Sequence, residues 1–191
     1  TAPFYLLACL FILGGNLASA EEAKPAAVTK QVCPIDGKAT HQEFTTTYED
    51  KTYTFCSADC VKSFNEERAN SLYEKIGGKA ALSAAVDLFY KKVLADKRVN
   101  HFFEDVNMKR QHKRQKAFIA TALGNPQPWK GKDMRKAHAN LDLTETDFGI
   151  IATHLQTTLE ELKVKKELIT QFMTIVGSTK DAVLNNPVPA K

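Results

Sequence analysis

At 191 residues the chain has room for one ordinary domain, or for a smaller domain with a tail and an extra module. Hydrophobic residues make up 43% and charged residues 25%, which excludes a disordered chain and fits a soluble globular protein. The formal charge of +4 reads as a mild lysine excess spread over helices that also carry glutamates. With no basic stripe interleaved with aromatics, it excludes nucleic acid as a partner.

Residues 1–20 carry no charged side chain. Their apolar run, 4–13, is too short to cross a hydrocarbon layer of about 30 Å. It reads as the core of a secretory signal over 1–20, with Ala18-Ser19-Ala20 as the small-x-small cleavage site, although the positive stretch that usually opens such a signal is missing. Two other readings stand beside this one. The segment stays as a membrane anchor, or Leu6-Leu7-Ala8-Cys9 is a lipoprotein box, which would lie before most of the apolar run rather than after it. In each case the remainder is exported; in the leading case it is periplasmic, with no integral membrane segment after cleavage.

Residues 21–30 are rich in Ala, Glu, Lys and Pro without periodicity and read as a linker. Residues 31–67 form a distinct small unit. Thr45-Thr46-Thr47-Tyr48 and Thr52-Tyr53-Thr54-Phe55 flank Glu49-Asp50-Lys51, a hairpin signal. A short helix is predicted over 58–67. Once Cys9 leaves with the signal, Cys33, Cys56 and Cys60 remain. An odd count in an exported protein points to metal binding or a free thiol. Cys56 and Cys60 lie four apart at a helix start, so one ion can touch both, and thiolates favour Zn(II) or Cu(I). The competing reading is a Cys56–Cys60 disulfide with Cys33 free.

From Ser71 onward the pattern is helical. Leu82, Ala85, Val86, Phe89, Tyr90, Val93 and Leu94 recur at steps of three and four, as do Gln111, Gln115, Phe118, Ile119, Ala122 and Leu123. Ile151, Leu155, Leu159 and Leu162 mark a further helix, and Leu168, Ile169, Phe172, Ile175 and Val176 the last. Gly77-Gly78, Gly124-Asn125-Pro126 and the stretch 128–131 break the pattern. Thr144 is a good N-cap, with Asp147 three residues on. Periodicity names no ligand.

Five segments, in order, resemble the group I truncated globins: Ser71-Leu72-Tyr73-Glu74-Lys75-Ile76-Gly77-Gly78, Val86-Asp87-Leu88-Phe89-Tyr90-Lys91-Lys92-Val93-Leu94, His101-Phe102-Phe103, Met108-Lys109-Arg110-Gln111 and Met134-Arg135-Lys136-Ala137-His138. The resemblance implies a mainly α fold, a two-over-two helical sandwich around heme b over 71–186, with 187–191 as a tail and the hairpin-plus-helix unit in front. It implies His138 as the proximal iron ligand and Tyr90 as the main distal donor, helped by Gln111 and Gln115. Phe102, Phe103, Phe118, Ile119, Leu123, Met134, Phe148 and Leu155 would pack on the heme. Arg110, Trp129 and Lys132 would meet its propionates, and Gly77, Gly78, Gly124 and Gly131 would supply tight turns.

The chemistry agrees with those residue types. A globin heme needs one neutral imidazole on one face and an enclosed, apolar opposite face with one or two donors. A donor aimed at bound dioxygen is worth about 1.5–3 kcal/mol, on the order of ten- to a hundredfold in retention. Gln111 and Gln115 are one helical turn apart and can face one pocket; the bland reading puts them at the edge of the stripe, facing water. Some relatives have a histidine where this chain has Arg114. A guanidinium is always protonated and cannot bind iron, so the sixth position is expected to be open or water-bound. His112 lies about 100° around the helix from Gln111, off the pocket stripe. His101 and His154 read as surface or edge residues.

Cys33-Pro34-Ile35-Asp36-Gly37, Tyr53 to Cys60 and Phe64 resemble the small YHS/TRASH metal-binding modules. That resemblance implies one Zn or Cu ion at Cys33, Cys56 and Cys60. The family often has a second cysteine where this chain has Asp36, so either Asp36 or His41 would complete the set or the ion would take a low coordination number. The functional expectation is an exported heme protein that binds O2, NO and CO. Oxidation of nitric oxide to nitrate would be a further activity, needing a reductase of unknown identity, for which export disfavours a cytoplasmic one. The alternatives are a metal or redox sensor with a gas-sensing globin, and heme peroxidase or electron-transfer chemistry.

Overall fold

The computed structural model describes residues 32–187. The expected signal (1–20) and linker (21–30), and residues 188–191 of the tail, lie outside the described residues. The elements in chain order are β1 (His41–Tyr48), β2 (Lys51–Phe55), α1 (Ala58–Asn70), α2 (Leu72–Lys75), α3 (Gly78–Ala95), a 3-10 turn (Asn100–Phe103), α4 (Met108–Ala122), α5 (Met134–His138), α6 (Glu145–Glu161), α7 (Lys166–Ser178) and α8 (Lys180–Val183). No helix among the described residues is long and apolar enough to cross a membrane.

The predicted hairpin forms, but on a tighter turn. Tyr48 pairs with Lys51, which leaves only Glu49 and Asp50 in the turn, both at positive φ (46° and 61°). This backbone matches the twist of antiparallel strands and is normally filled by Asn or Gly. Here tertiary hydrogen bonds offset the strain. The Glu49 carboxylate accepts from Tyr73 Oη at 2.6 Å and from Asn125 Nδ2 at 3.1 Å. Beside it Tyr48 Oη donates to Glu74 at 2.5 Å, and Lys51 Nζ to Gln127 at 3.1 Å. The hairpin tip is thus anchored to α2 and to the segment leaving α4. Tyr53 and Phe55 pack on Phe64 of α1, with ring centroids 4.8 and 5.1 Å apart, and Cys33 completes this small core. The predicted helix at 58–67 starts at Ala58, capped by Ser57, and runs on to Asn70.

In the helical part α3 packs on α4 and α6, and α6 packs on α7. Two helical pairs, α3/α4 and α6/α7, are therefore joined through α3 and α6, which is the expected two-over-two sandwich. The apolar stripe of α3 is buried as its period predicts: Leu82, Ala85, Val86, Phe89, Tyr90 and Val93. It meets Ile119, Leu159, Ile169 and Phe172 in one core. Thr144 and Asp147 form the reciprocal capping box that opens α6. Gly124, at φ +94°, ends α4 where a Cβ would lie 2.9 Å from Ser71 Cβ. That close approach lets the Leu123 carbonyl accept from Tyr73 N at 2.9 Å, tying the end of α4 to α2. The 3-10 turn and α8 are too short to show a period and were not read from the sequence.

Candidate functional site

Tyr90 projects from α3 into the interior and is 2% exposed. Burial pushes its phenol up to about 12, and the bond from Gln111 eases it slightly. Asn107 caps α4 by accepting from Arg110 N at 3.0 Å. The first turn so fixed carries Gln111, whose Nε2 donates to Tyr90 Oη at 2.9 Å. Gln115, one turn further, is half-buried. Phe103 meets the Tyr90 ring edge-on at 5.8 Å; Phe102 and Phe103 are both half-buried against the core.

His138 closes α5, which Asp133 caps through Lys136 N at 2.9 Å. The helix leans on α8, and Arg135 Nη1 donates to Asn186 O at 2.7 Å. His138 Nδ1 lies 2.8 Å from Met134 O. A carbonyl can only accept, so Nδ1 carries a proton, and in the neutral ring Nε2 keeps its lone pair. A ring oriented this way through its other nitrogen is the usual form of a metal-ligating imidazole.

The apolar residues that the resemblance assigns to the heme are covered unevenly. Phe118, Met134, Phe148 and Leu155 stay half-buried. Ile119 and Leu123 lie within the protein's own core, at 7% and 3% exposure. Ile119 lines, with Val86, Phe89, Leu155 and Leu159, a cavity of about 10 Å³, barely room for one water. Trp129 turns its edge to Phe118 at 5.5 Å and donates Nε1–H to Lys132 O at 3.0 Å. Gly131 lies at a bend in the chain. Its φ is not in the left-handed region, and a Cβ there would lie 1.9 Å from the Trp129 ring, so glycine provides clearance for the indole. Arg110 and Lys132 are exposed, with no ion pair among the described residues. The set fits heme: an imidazole with a free Nε2, a buried phenol whose oxygen already accepts one bond, and large apolar side chains left partly uncovered.

Two histidines have partners the sequence did not show. His112, expected off the pocket stripe, instead lies flat on the Tyr90 ring, at 4.6 Å and 17°. Its Nδ1 is 2.9 Å from Asp87 Oδ1, which also takes Lys116 Nζ at 3.0 Å. Those two partners, Lys116 foremost, hold the Asp87 carboxyl below its usual range. His154 sits at an edge, as expected, with Nε2 2.8 Å from Asp96 Oδ2. Asp96 also accepts from Arg98 Nε and Nη2, at 2.9 and 2.6 Å. His101 is exposed. The lysine excess is not spread evenly over the helices: residues 107–136 hold nine Lys and Arg against the single acid Asp133.

At the hairpin unit Cys33, Asp36, Cys56 and Cys60 bring one ligand atom each to within 4.8 Å of one another. The three thiols are free rather than paired in a disulfide. Cys56 Sγ lies 3.5 Å from Cys60 Sγ and 3.3 Å from Asp36 Oδ2. Asp36, not His41, joins the thiols. Burial opposes ionisation of Cys33, but backbone N–H bonds from Asp36, Cys56 and Ile35 bring its thiol below the usual value. Desolvation, then the adjoining Cys60, pushes Cys56 up to about 12.

Residues 71–185 match the family described as bacterial-like globin. A group 1 truncated hemoglobin of Chlamydomonas moewusii is 50% identical over 119 residues, 61% of this chain and 70% of that protein. One of Tetrahymena thermophila is 44% identical over 110 residues, 58% of this chain and 91% of that protein. The solved truncated hemoglobin of Tetrahymena pyriformis, a tyrosine variant in the Fe(III) form, is 42% identical with a TM-score of 0.59, covering 60% of this chain and 98% of that one. That protein has been solved with substitutions at a tyrosine, at a glutamine 21 positions later and at a second glutamine four further on. Tyr90, Gln111 and Gln115 have the same spacing.

Proposed function

The chain belongs to the bacterial-like globins as a group 1 truncated hemoglobin, and on that premise we propose that it carries heme b on His138 and binds dioxygen reversibly beside Tyr90. Heme supplies the iron that takes a diatomic gas. The Met134 carbonyl, by accepting from His138 Nδ1, fixes the imidazole plane and enriches the electron density at Nε2. Tyr90 stays protonated across the physiological range because it is buried. Its oxygen takes the Gln111 N–H, so the phenolic proton is left for a ligand, and the chained bonds polarise one another. Gln115 is the second donor. Phe102, Phe103, Phe118, Phe148, Leu155 and Met134 keep water out, which strengthens each of these bonds.

The observation that carries this reading is the Gln111-to-Tyr90 bond: a buried phenol with its acceptor side engaged and its proton to give. In the ferrous protein, Tyr90→Phe should speed dioxygen release on the order of ten- to a hundredfold, as measured by stopped-flow displacement with carbon monoxide. An unchanged rate would remove Tyr90 from the role. The same pocket suits NO and CO. Oxidation of nitric oxide to nitrate adds the requirement of a reductase, and stopped-flow mixing with nitric oxide separates that activity from simple carriage. The apolar segment at residues 1–20 supports export.

A second reading is favoured by the cysteine cluster. Three thiolates and the Asp36 carboxylate make four ligands, the number Zn(II) takes in tetrahedral sites; Cu(I) prefers soft donors throughout. The hairpin unit is then a metal-binding module of the YHS/TRASH kind beside the gas site. Metal analysis should find one zinc per chain, lost in Cys60→Ser and weakened in Asp36→Ala. Full-chain protein that retains no metal above background after zinc loading would exclude the module.

A further inference from the structure

We infer that His112, anchored by Asp87, is a positioning residue that fixes the plane of the Tyr90 ring and thereby aims its proton; this rests on the reading of Tyr90 as the ligand's donor. A phenolic O–H lies in the plane of its ring, because the oxygen lone pair conjugates with the π system. The ring plane therefore decides the direction in which the proton is offered. Phe89 and Phe103 meet Tyr90 edge-on, at 5.1 and 5.8 Å. Among the described residues His112 alone is stacked on its face, at 4.6 Å and 17°.

The imidazole is itself held. Its Nδ1 is 2.9 Å from Asp87 Oδ1. Asp87 lies three residues before Tyr90 on α3, one helical turn away on the same side, and Lys116 Nζ steadies the carboxylate from α4 at 3.0 Å. Two consecutive residues of α4 thus clamp one tyrosine, Gln111 at the oxygen and His112 at the face. A surface histidine whose only task was the Asp87 ion pair would have no reason to lie parallel to a buried ring. The His112 side chain keeps 27% of its surface, so its truncation opens no sealed cavity.

The test is dioxygen release from the ferrous full-length holoprotein, with Tyr90 ring-proton NMR of the carbonmonoxy form as a second readout. His112→Ala should speed release about three- to tenfold and average ring signals that are distinct in the wild type. His112→Phe, which keeps a flat ring, should restore both. In a Tyr90→Phe background, His112→Ala should add less than about twofold. If Tyr90→Phe speeds release and His112→Ala does not, the inference is overturned while the role of Tyr90 stands. An equal effect of His112→Ala with and without Tyr90 also overturns it. No effect of Tyr90→Phe would instead bring down the reading on which it rests.

Discussion

The two sides of the helical domain are built from the same kinds of residue but covered very differently. On one side Val86, Val93, Val99, Leu159 and Phe172 are at most 3% exposed. On the other, α4 buries only Ile119, α5 buries nothing, and α6 buries nothing before Thr158. There Phe118, Met134, Phe148 and Leu155 stay half-covered, although burying such a side chain is worth about 1.5–3 kcal/mol. The closed side holds the fold together. The open side carries Phe118, Met134, Phe148 and Leu155, residues that the resemblance assigns to heme.

That contrast can be broken by truncation. Leu159→Ala on the closed side should cost about 2–5 kcal/mol in denaturant unfolding, with or without heme. Phe148→Ala should cost clearly less in the heme-free protein and gain weight when heme is added. Equal costs in both states would mean that Phe148 belongs to the ordinary core. Next in size is heme itself. At 100 to 1,000 times its dissociation constant it should stabilise the fold by about 2.7–4.1 kcal/mol, with hydrogen-exchange protection gained in α4, α5 and the start of α6 and unchanged in α3 and α7. Uniform gain would erase the distinction between the two sides.

Thr144→Ala removes the capping box that opens α6 and should cost about 1 kcal/mol, felt on the open side first as faster exchange in the opening turn of α6. The smallest effect concerns acid. The Asp96 carboxyl is held well below the usual carboxylate range by the Arg98 side chain, then by Arg98 N–H and His154. A depressed folded value means that its stabilisation is complete above about pH 4 and is lost as pH falls through that folded value. Asp96→Asn should therefore lower stability at neutral pH and flatten the acid limb. An acid limb as steep as the wild type's would remove this pair from the account.

What could be read in the sequence was what is local or repeated. The α3 stripe and the Thr144–Asp147 box are fixed by residues within a few turns of one another, and both stand in the structure. The roles proposed for His138, Tyr90, Gln111 and Gln115 follow from the order of their segments, and the bond from Gln111 to Tyr90 is what the fold adds to them. What depends on how elements cross was hidden. Helix geometry could put His112 beside Gln111, but the stack on Tyr90 exists only because α4 crosses α3 at that point. The choice of Asp36 over His41 was likewise hidden, because it rests on an approach to Cys56 across twenty positions of chain. Glu49 in a left-handed turn is explained only by Tyr73 and Asn125, both distant in the chain.

The central claim is that His138 binds heme iron through Nε2, and hemin titration of the full chain tests it most directly. Absorption spectra would be recorded for the ferric, ferrous and carbonmonoxy forms of the wild type and of His138→Ala. The wild type should take up one hemin per chain and give the spectra of an imidazole-ligated heme in all three forms, and His138→Ala should lose them. A chain that takes up no hemin, or a His138→Ala variant with spectra unchanged from the wild type, would contradict the account.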